Sequence, residues 1–105
     1  MPEDEHTELV VRPRGELDIA RAEVLREEWI RAVEAEQPDR FVIDLGEVTF
    51  LDSSVLAAIV RVHERQRGHG RDVVVVNASR RVAKIFAITG LQDVLHVNGA
   101  GRAGD

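Results

Sequence analysis

The chain has 105 residues, 44% of them hydrophobic and 31% charged, with 19 acidic and 14 basic residues, a formal net charge of -5 and no cysteine. A domain of this length buries about two-thirds of the surface its unfolded chain exposes, which supports one hydrophobic core and leaves no room for a second domain. The acidic balance argues against a nucleic-acid partner, whose phosphates need a basic footprint, and the lack of thiols excludes disulfides and thiolate chemistry.

Residues 1–8, MPEDEHTE, are acidic where a signal peptide would be basic and then apolar. No apolar run approaches the ~20 residues of a membrane span. The expected location is therefore the cytoplasm, without membrane insertion.

Leu9, Val10 and Val11 open a short strand. Pro13, in the same extended stretch, lacks a ladder donor and places that strand at or near a sheet edge, and Gly15 lets the chain turn. Asp18 is a good N-cap for a helix running to about Ala35, with Leu25, Trp29 and Val33 on one face and Arg26, Glu27, Arg31 and Glu34 on the other. Pro38 and Asp39 break it. FVIDL (41–45) is compact and mostly apolar, as a strand buried on both faces should be.

A turn through Gly46 leads to a second helix from Ser53 to about Gln66, with Leu56, Ile59, Val60 and His63 at helical spacing. Gly68, His69 and Gly70 end it. DVVVVN (72–77) is the strongest strand and suits a central place in a parallel sheet. Ser79 caps a third helix with an apolar stripe of Val82, Ile85 and Phe86, and Gly90 fits a left-handed C-cap. Val94 to Val97 makes a last strand, and residues 98–105, NGAGRAGD, read as a flexible glycine-rich tail. Strands alternating with helices predict an α/β domain with a mostly parallel central sheet and packed helices, spanning residues 9–97.

The chemistry concentrates in DLGEVTFLDSSVL (44–56), where Asp52, Ser53 and Ser54 meet at a helix start. Asp52 or Ser53 serves as an N-cap, but that role leaves a second hydroxyl unexplained. A serine nucleophile is disfavoured: there is no G-x-S-x-G elbow, and His63 lies nine residues from Ser54 along one helix, about 13 Å at 1.5 Å per residue. A phosphate acceptor fits the position, because a serine in the first helical turn sits at the positive end of the helix dipole. Phosphate there adds about -1.5 to -2 charges beside Asp52 and repels a docked partner without unfolding the domain.

GELD (15–18), VIDLGEVTFLDSSVL (42–56) and ITGLQDVLHV (88–97), in this order, resemble the STAS-domain anti-sigma factor antagonists over about residues 9–97. The resemblance implies a non-enzymatic, cytoplasmic binding protein of bacterial transcription control, with no cofactor. Its partner would be an anti-sigma factor that is also a serine kinase. That kinase would phosphorylate Ser54 and so dissolve the complex, and a phosphatase would restore it. Carried over by position, Asp52 and Ser53 neighbour the phosphate acceptor, and Val55, Leu56 and Ala58 continue the docking surface.

The chain departs from this pattern at Val55, where the family usually has glycine. A β-branched residue there is expected to stiffen the turn and cover backbone that a kinase approaches. That departure favours an alternative, a STAS subunit that never carries phosphate and supports another assembly, such as the ATPase of a lipid-transport complex or a stress-signalling scaffold. The short sequence before Leu9 and after Val97 also leaves an edge and some apolar surface less covered, a hint of a homodimer.

Elsewhere, His63 and His69 are six residues apart and share no helical face, so no metal site is expected. Trp29 reads as core. Arg80, Arg81 and Lys84 form a basic patch that reads as a solvated face, and the glycines compose no phosphate-binding loop.

Overall fold

The computed structural model describes residues 7–91 and 96–99. The elements run β1 (Glu8–Val11), β2 (Arg14–Leu17), α1 (Ile19–Glu36), β3 (Arg40–Asp44), β4 (Glu47–Leu51), α2 (Ser53–Arg67), β5 (Asp72–Ala78), α3 (Arg80–Thr89) and β6 (His96–Gly99). Two parallel sheets result: four strands in the order β1-β3-β5-β6, and a separate pair, β2-β4. The expected α/β class with parallel strands is the observed one.

The first expected strand is in fact two. Pro13 has no N–H to continue a ladder, so β1 stops before it and pairs with β3 at the sheet edge, while the chain crosses to pair with β4. Gly15 lies inside β2 and opens no turn: its φ of +79° accommodates the register shift between Gly15 and Glu16. The segment after Gly46, where the sequence predicts a connecting turn, contains β4, whose Val48 and Leu51 are buried while Thr49 and Phe50 are exposed. Five residues with two polar positions carry too weak a pattern to read as a strand until β2 is beside them.

The helices follow their sequence signals more closely. Asp18 caps α1, Asp52 caps α2 and Ser79 caps α3, each by a side-chain oxygen that accepts an amide of the first turn. Leu25, Trp29 and Val33 are buried along α1, and Trp29 meets Phe41 of β3 edge-on with ring centroids 6.2 Å apart. Gly90 ends α3 in the left-handed conformation, φ +78°. The last described strand, His96–Gly99, includes Asn98 and Gly99, two residues beyond the expected end at Val97; residues 1–6, 92–95 and 100–105, with Val94 and Leu95 of the expected strand, lie outside the described residues.

β5 lies between β3 and β6, and Val73 and Val75 enter the core with Phe41, Ile43, Ile59, Val62 and Phe86. Helix α1 packs along α2, which also rests on β5, while α3 packs against β4, β5 and β6. A buried polar side chain ties the lower end together: Gln66 donates its amide to the Pro38 and Asp72 carbonyls at 3.0 and 3.1 Å. No helix among the described residues is long and apolar enough to cross a membrane.

Candidate functional site at the starts of α1 and α2

The site is built by the two-stranded sheet. Leu17 and Leu51 are aligned partners at the ends of β2 and β4, and both side chains are buried. The next residue of each strand is the aspartate that caps the following helix, so α1 and α2 start side by side and run in the same direction. Their positive dipole ends converge where Ser54 sits.

Asp52 organises this junction. Its Oδ1 accepts the Ser54 amide at 2.8 Å and the Ser54 hydroxyl at 2.9 Å, with the Ser53 hydroxyl at 3.5 Å. The Ser54 amide first, and then its hydroxyl, hold the Asp52 carboxyl below its usual range. A carboxylate stabilised in this way is a weak base, and its hydrogen bond fixes the direction of the Ser54 hydroxyl. With its proton committed to Asp52, the Ser54 oxygen keeps its lone pairs for an incoming electrophile, and Ser54 is half-buried, not sealed.

The sequence-derived site residues divide. Asp52 is half-buried, and Ser53 is exposed beside Ser54. Val55 and Leu56 are 0% and 3% exposed and belong to the core, and Ala58, 2% exposed, lies beneath the surface. The side chains of Val55 and Leu56 offer a partner almost nothing to touch and Ala58 supplies only groove floor, because the same 3.6-residue period that turns Ser54 outward turns positions 55, 56, 58 and 59 inward. The Val55 side chain is turned into the core and does not lie over exposed backbone, which is where its β-branched side chain is expected from the sequence.

Other residues stand where a partner would meet the surface. An open groove of about 700 Å3 between α1 and α2 starts at Ser54 and is lined by Ile19, Ala22, Ala57, Ala58 and Val60 among others. Ile19, directly after the α1 cap, is 72% exposed. Sequence reasoning passed over it because one apolar residue at a helix start has no periodic signal, although Ala57 and Arg61 continue the outward stripe of Ser54 at i+3 and i+7. Among the described residues no cluster of His, Cys, Asp and Glu is able to hold a metal ion.

A parallel α/β domain with a capped serine pair at this junction defines a class, and comparison with known proteins gives its family. The STAS domain family model matches residues 1–100, and the chain belongs to that family. It is 31% identical to the anti-sigma-B factor antagonist of Bacillus subtilis over 92% of this chain and 87% of that protein. The crystal structure of an anti-sigma factor antagonist from Mycobacterium paratuberculosis superposes with a TM-score of 0.78 at 31% identity, covering 91% of this chain and 80% of that one.

The same fold is found in the anti-sigma factor antagonist SpoIIAA, solved in two forms. The unphosphorylated form gives a TM-score of 0.78 at 21% identity over 99% of this chain and 90% of that one. The phosphorylated form of the Bacillus protein gives 0.69 at 20% identity over 97% and 92%.

Proposed function

We propose that the chain is an anti-sigma factor antagonist which binds a kinase-type anti-sigma factor through the face around Asp52, Ser53 and Ser54, and that phosphorylation of Ser54 switches this binding off. The carrying observation is the Ser54 hydroxyl held at 2.9 Å on an Asp52 oxygen, half-buried at the start of α2 and opening on the groove. A phosphate at this position meets helix amides that tolerate it internally, and confronts the partner with a dianion. The related proteins named anti-sigma factor antagonists support the reading, and so does the existence of a phosphorylated form of SpoIIAA.

The chain then acts in the cytoplasm as a binding protein and not as an enzyme. A phosphatase returns it to the binding state. The alternative is a STAS subunit that never carries phosphate and supports another assembly; it rests on Val55 in place of glycine, a residue whose side chain is buried in the core. A homodimer remains part of the proposal: β1 has a strand partner on one side only within the described sheet, and Val10 on it is 39% exposed. Light scattering that returns one monomer mass at all concentrations removes it.

The test of the switch is incubation with the candidate kinase and ATP, followed by mass spectrometry of wild type and Ser54→Ala. Phosphate is expected on the wild type alone. Equal phosphate on both proteins refutes the assignment of Ser54.

A further inference from the structure

The groove at Ser54 does not end with its apolar part. A second hollow of about 410 Å3 shares Arg26, Arg61 and Glu64 with it and continues to Arg65, Gly68 and His69, and a third of about 460 Å3 carries on past Arg65 and His69 to Gln37 and Arg71. The three form one trough along the seam of α1 and α2. Helices of 18 and 15 residues make that seam roughly 22 to 27 Å long at 1.5 Å per residue.

The chemistry changes along it. At the Ser54 end the trough presents Ile19, Ala57 and Val60; its middle presents three guanidinium groups, Arg26, Arg61 and Arg65, around Glu64, while Glu23 lines the Ser54 end and Glu34 the far end. This concentration of cations stands out on a chain whose net charge is -5. The cations are also weakly engaged. Arg26 meets Glu23 only at 3.6 Å, Arg65 meets Glu34 at 3.0 Å with both side chains about half exposed, and Arg61 makes no ion pair among the described residues. Exposed pairs of this kind are easily exchanged for a better partner.

We infer that the trough between α1 and α2 receives an acidic amphipathic helix of a partner protein, with its apolar turn on Ile19, Ala57 and Val60 and its carboxylates on Arg26, Arg61 and Arg65. A helix suits the shape because its side chains at i, i+4, i+7 and i+11 follow one line, as the trough does. It suits the charge because guanidinium groups pair with carboxylates in a forked geometry. The apolar end of this docking surface borders Ser54, and its cationic part begins two helical turns further along α2.

The test is a titration of the isotope-labelled full chain, followed by amide chemical shifts, with a synthetic helical peptide of about four turns. The peptide carries leucine on the first two turns of one face and glutamate on the last two; a control peptide carries lysine in place of each glutamate. The acidic peptide is expected to shift the amides of Ile19, Ala57, Arg61 and Arg65, and to bind more weakly as salt is raised. Arg61→Glu with Arg65→Glu is expected to weaken it about tenfold or more.

Both substituted side chains are exposed, and an unchanged dispersion of the remaining amide signals shows that the double variant is folded. No shift along the trough, equal binding of the lysine peptide, or full binding by the folded double variant overturns the inference. Failure here leaves the Ser54 switch standing, and failure to phosphorylate Ser54 leaves this result unaffected.

Discussion

The backbone amide of Asp52 donates to the carbonyl of Leu17 across 3.0 Å, and this bond joins the starts of two helices that lie 34 positions apart in sequence. Through it the caps of α1 and α2 share one rigid platform, the β2-β4 pair. The Ser54 hydroxyl is therefore presented by strands and caps rather than by a free loop.

The consequence for Asp52 is testable. Asp52→Ala removes the acceptor of both the Ser54 amide and its hydroxyl, so a lower melting temperature and a Ser54 phosphorylation rate reduced about tenfold are expected from lost orientation. Asp52→Asn keeps an oxygen cap and should retain most of the stability and part of the rate. Thermal melts and a timed kinase assay separate the two. A wild-type rate in Asp52→Ala would show that the hydrogen bond does not position the hydroxyl.

Val55 follows the serine pair directly, and its side chain is fully buried. Replacing it by glycine removes a core contact and adds backbone freedom within α2. Val55→Gly should cost about 2 to 4 kcal/mol, read from urea denaturation. At a temperature where the variant is still folded, its Ser54 phosphorylation should match the wild type.

Asp44 gives the fold an acid-sensitive clamp. Its oxygens accept the Gly46 amide at 2.9 Å, the Asn77 side-chain amide at 3.2 Å and Arg12 Nε at 3.3 Å, joining the chain just after β1 to β3 and β5. The Gly46 amide is the main reason its carboxyl lies below the ordinary range; desolvation opposes the shift, and Asn77 and Arg12 add to it. A depressed folded-state value means that the clamp stabilises at neutral pH and loses this as pH falls below about 4 through the lower folded-state value. Asp44→Asn should therefore show a shallower loss of stability than wild type over that acid window. Identical slopes in pH-dependent denaturation would assign the acid sensitivity elsewhere.

Gln66 is 1% exposed and closes the opposite end by donating to two carbonyls from different segments. Gln66→Leu fills similar space and leaves those carbonyls without that donor. The expected loss is about 1 to 3 kcal/mol by chemical denaturation. Because the site lies at the other end of α2, Ser54 phosphorylation of the folded variant should be unchanged.

Local and periodic properties were legible in the sequence. Asp18, Asp52 and Ser79 announce helix starts because a short side-chain oxygen beside a helical apolar pattern has one favourable use, and the run of valines in β5 has no comfortable place but a buried strand. The same chemistry placed the serine pair near a helix N-terminus, and the family resemblance pointed to Ser54 within it. β2 and β4 were not legible, since each is too short to specify a strand alone, and their stability comes from each other across more than 30 residues of chain.

The docking face divides on the same principle. A list of neighbours in sequence mixed Ser53 and Ser54 with Val55, Leu56 and Ala58, whereas α2 sends the first two toward solvent and the rest inward. Ile19, Ala57 and Arg61 became one surface only when β2 and β4 launched α1 and α2 side by side. Composition, caps and periodicity thus determined the class of fold and put a serine hydroxyl at a helix start, because these depend on residues within a few positions of one another. Tertiary structure alone decided which side chains surround that hydroxyl, because that depends on which distant strands share hydrogen bonds.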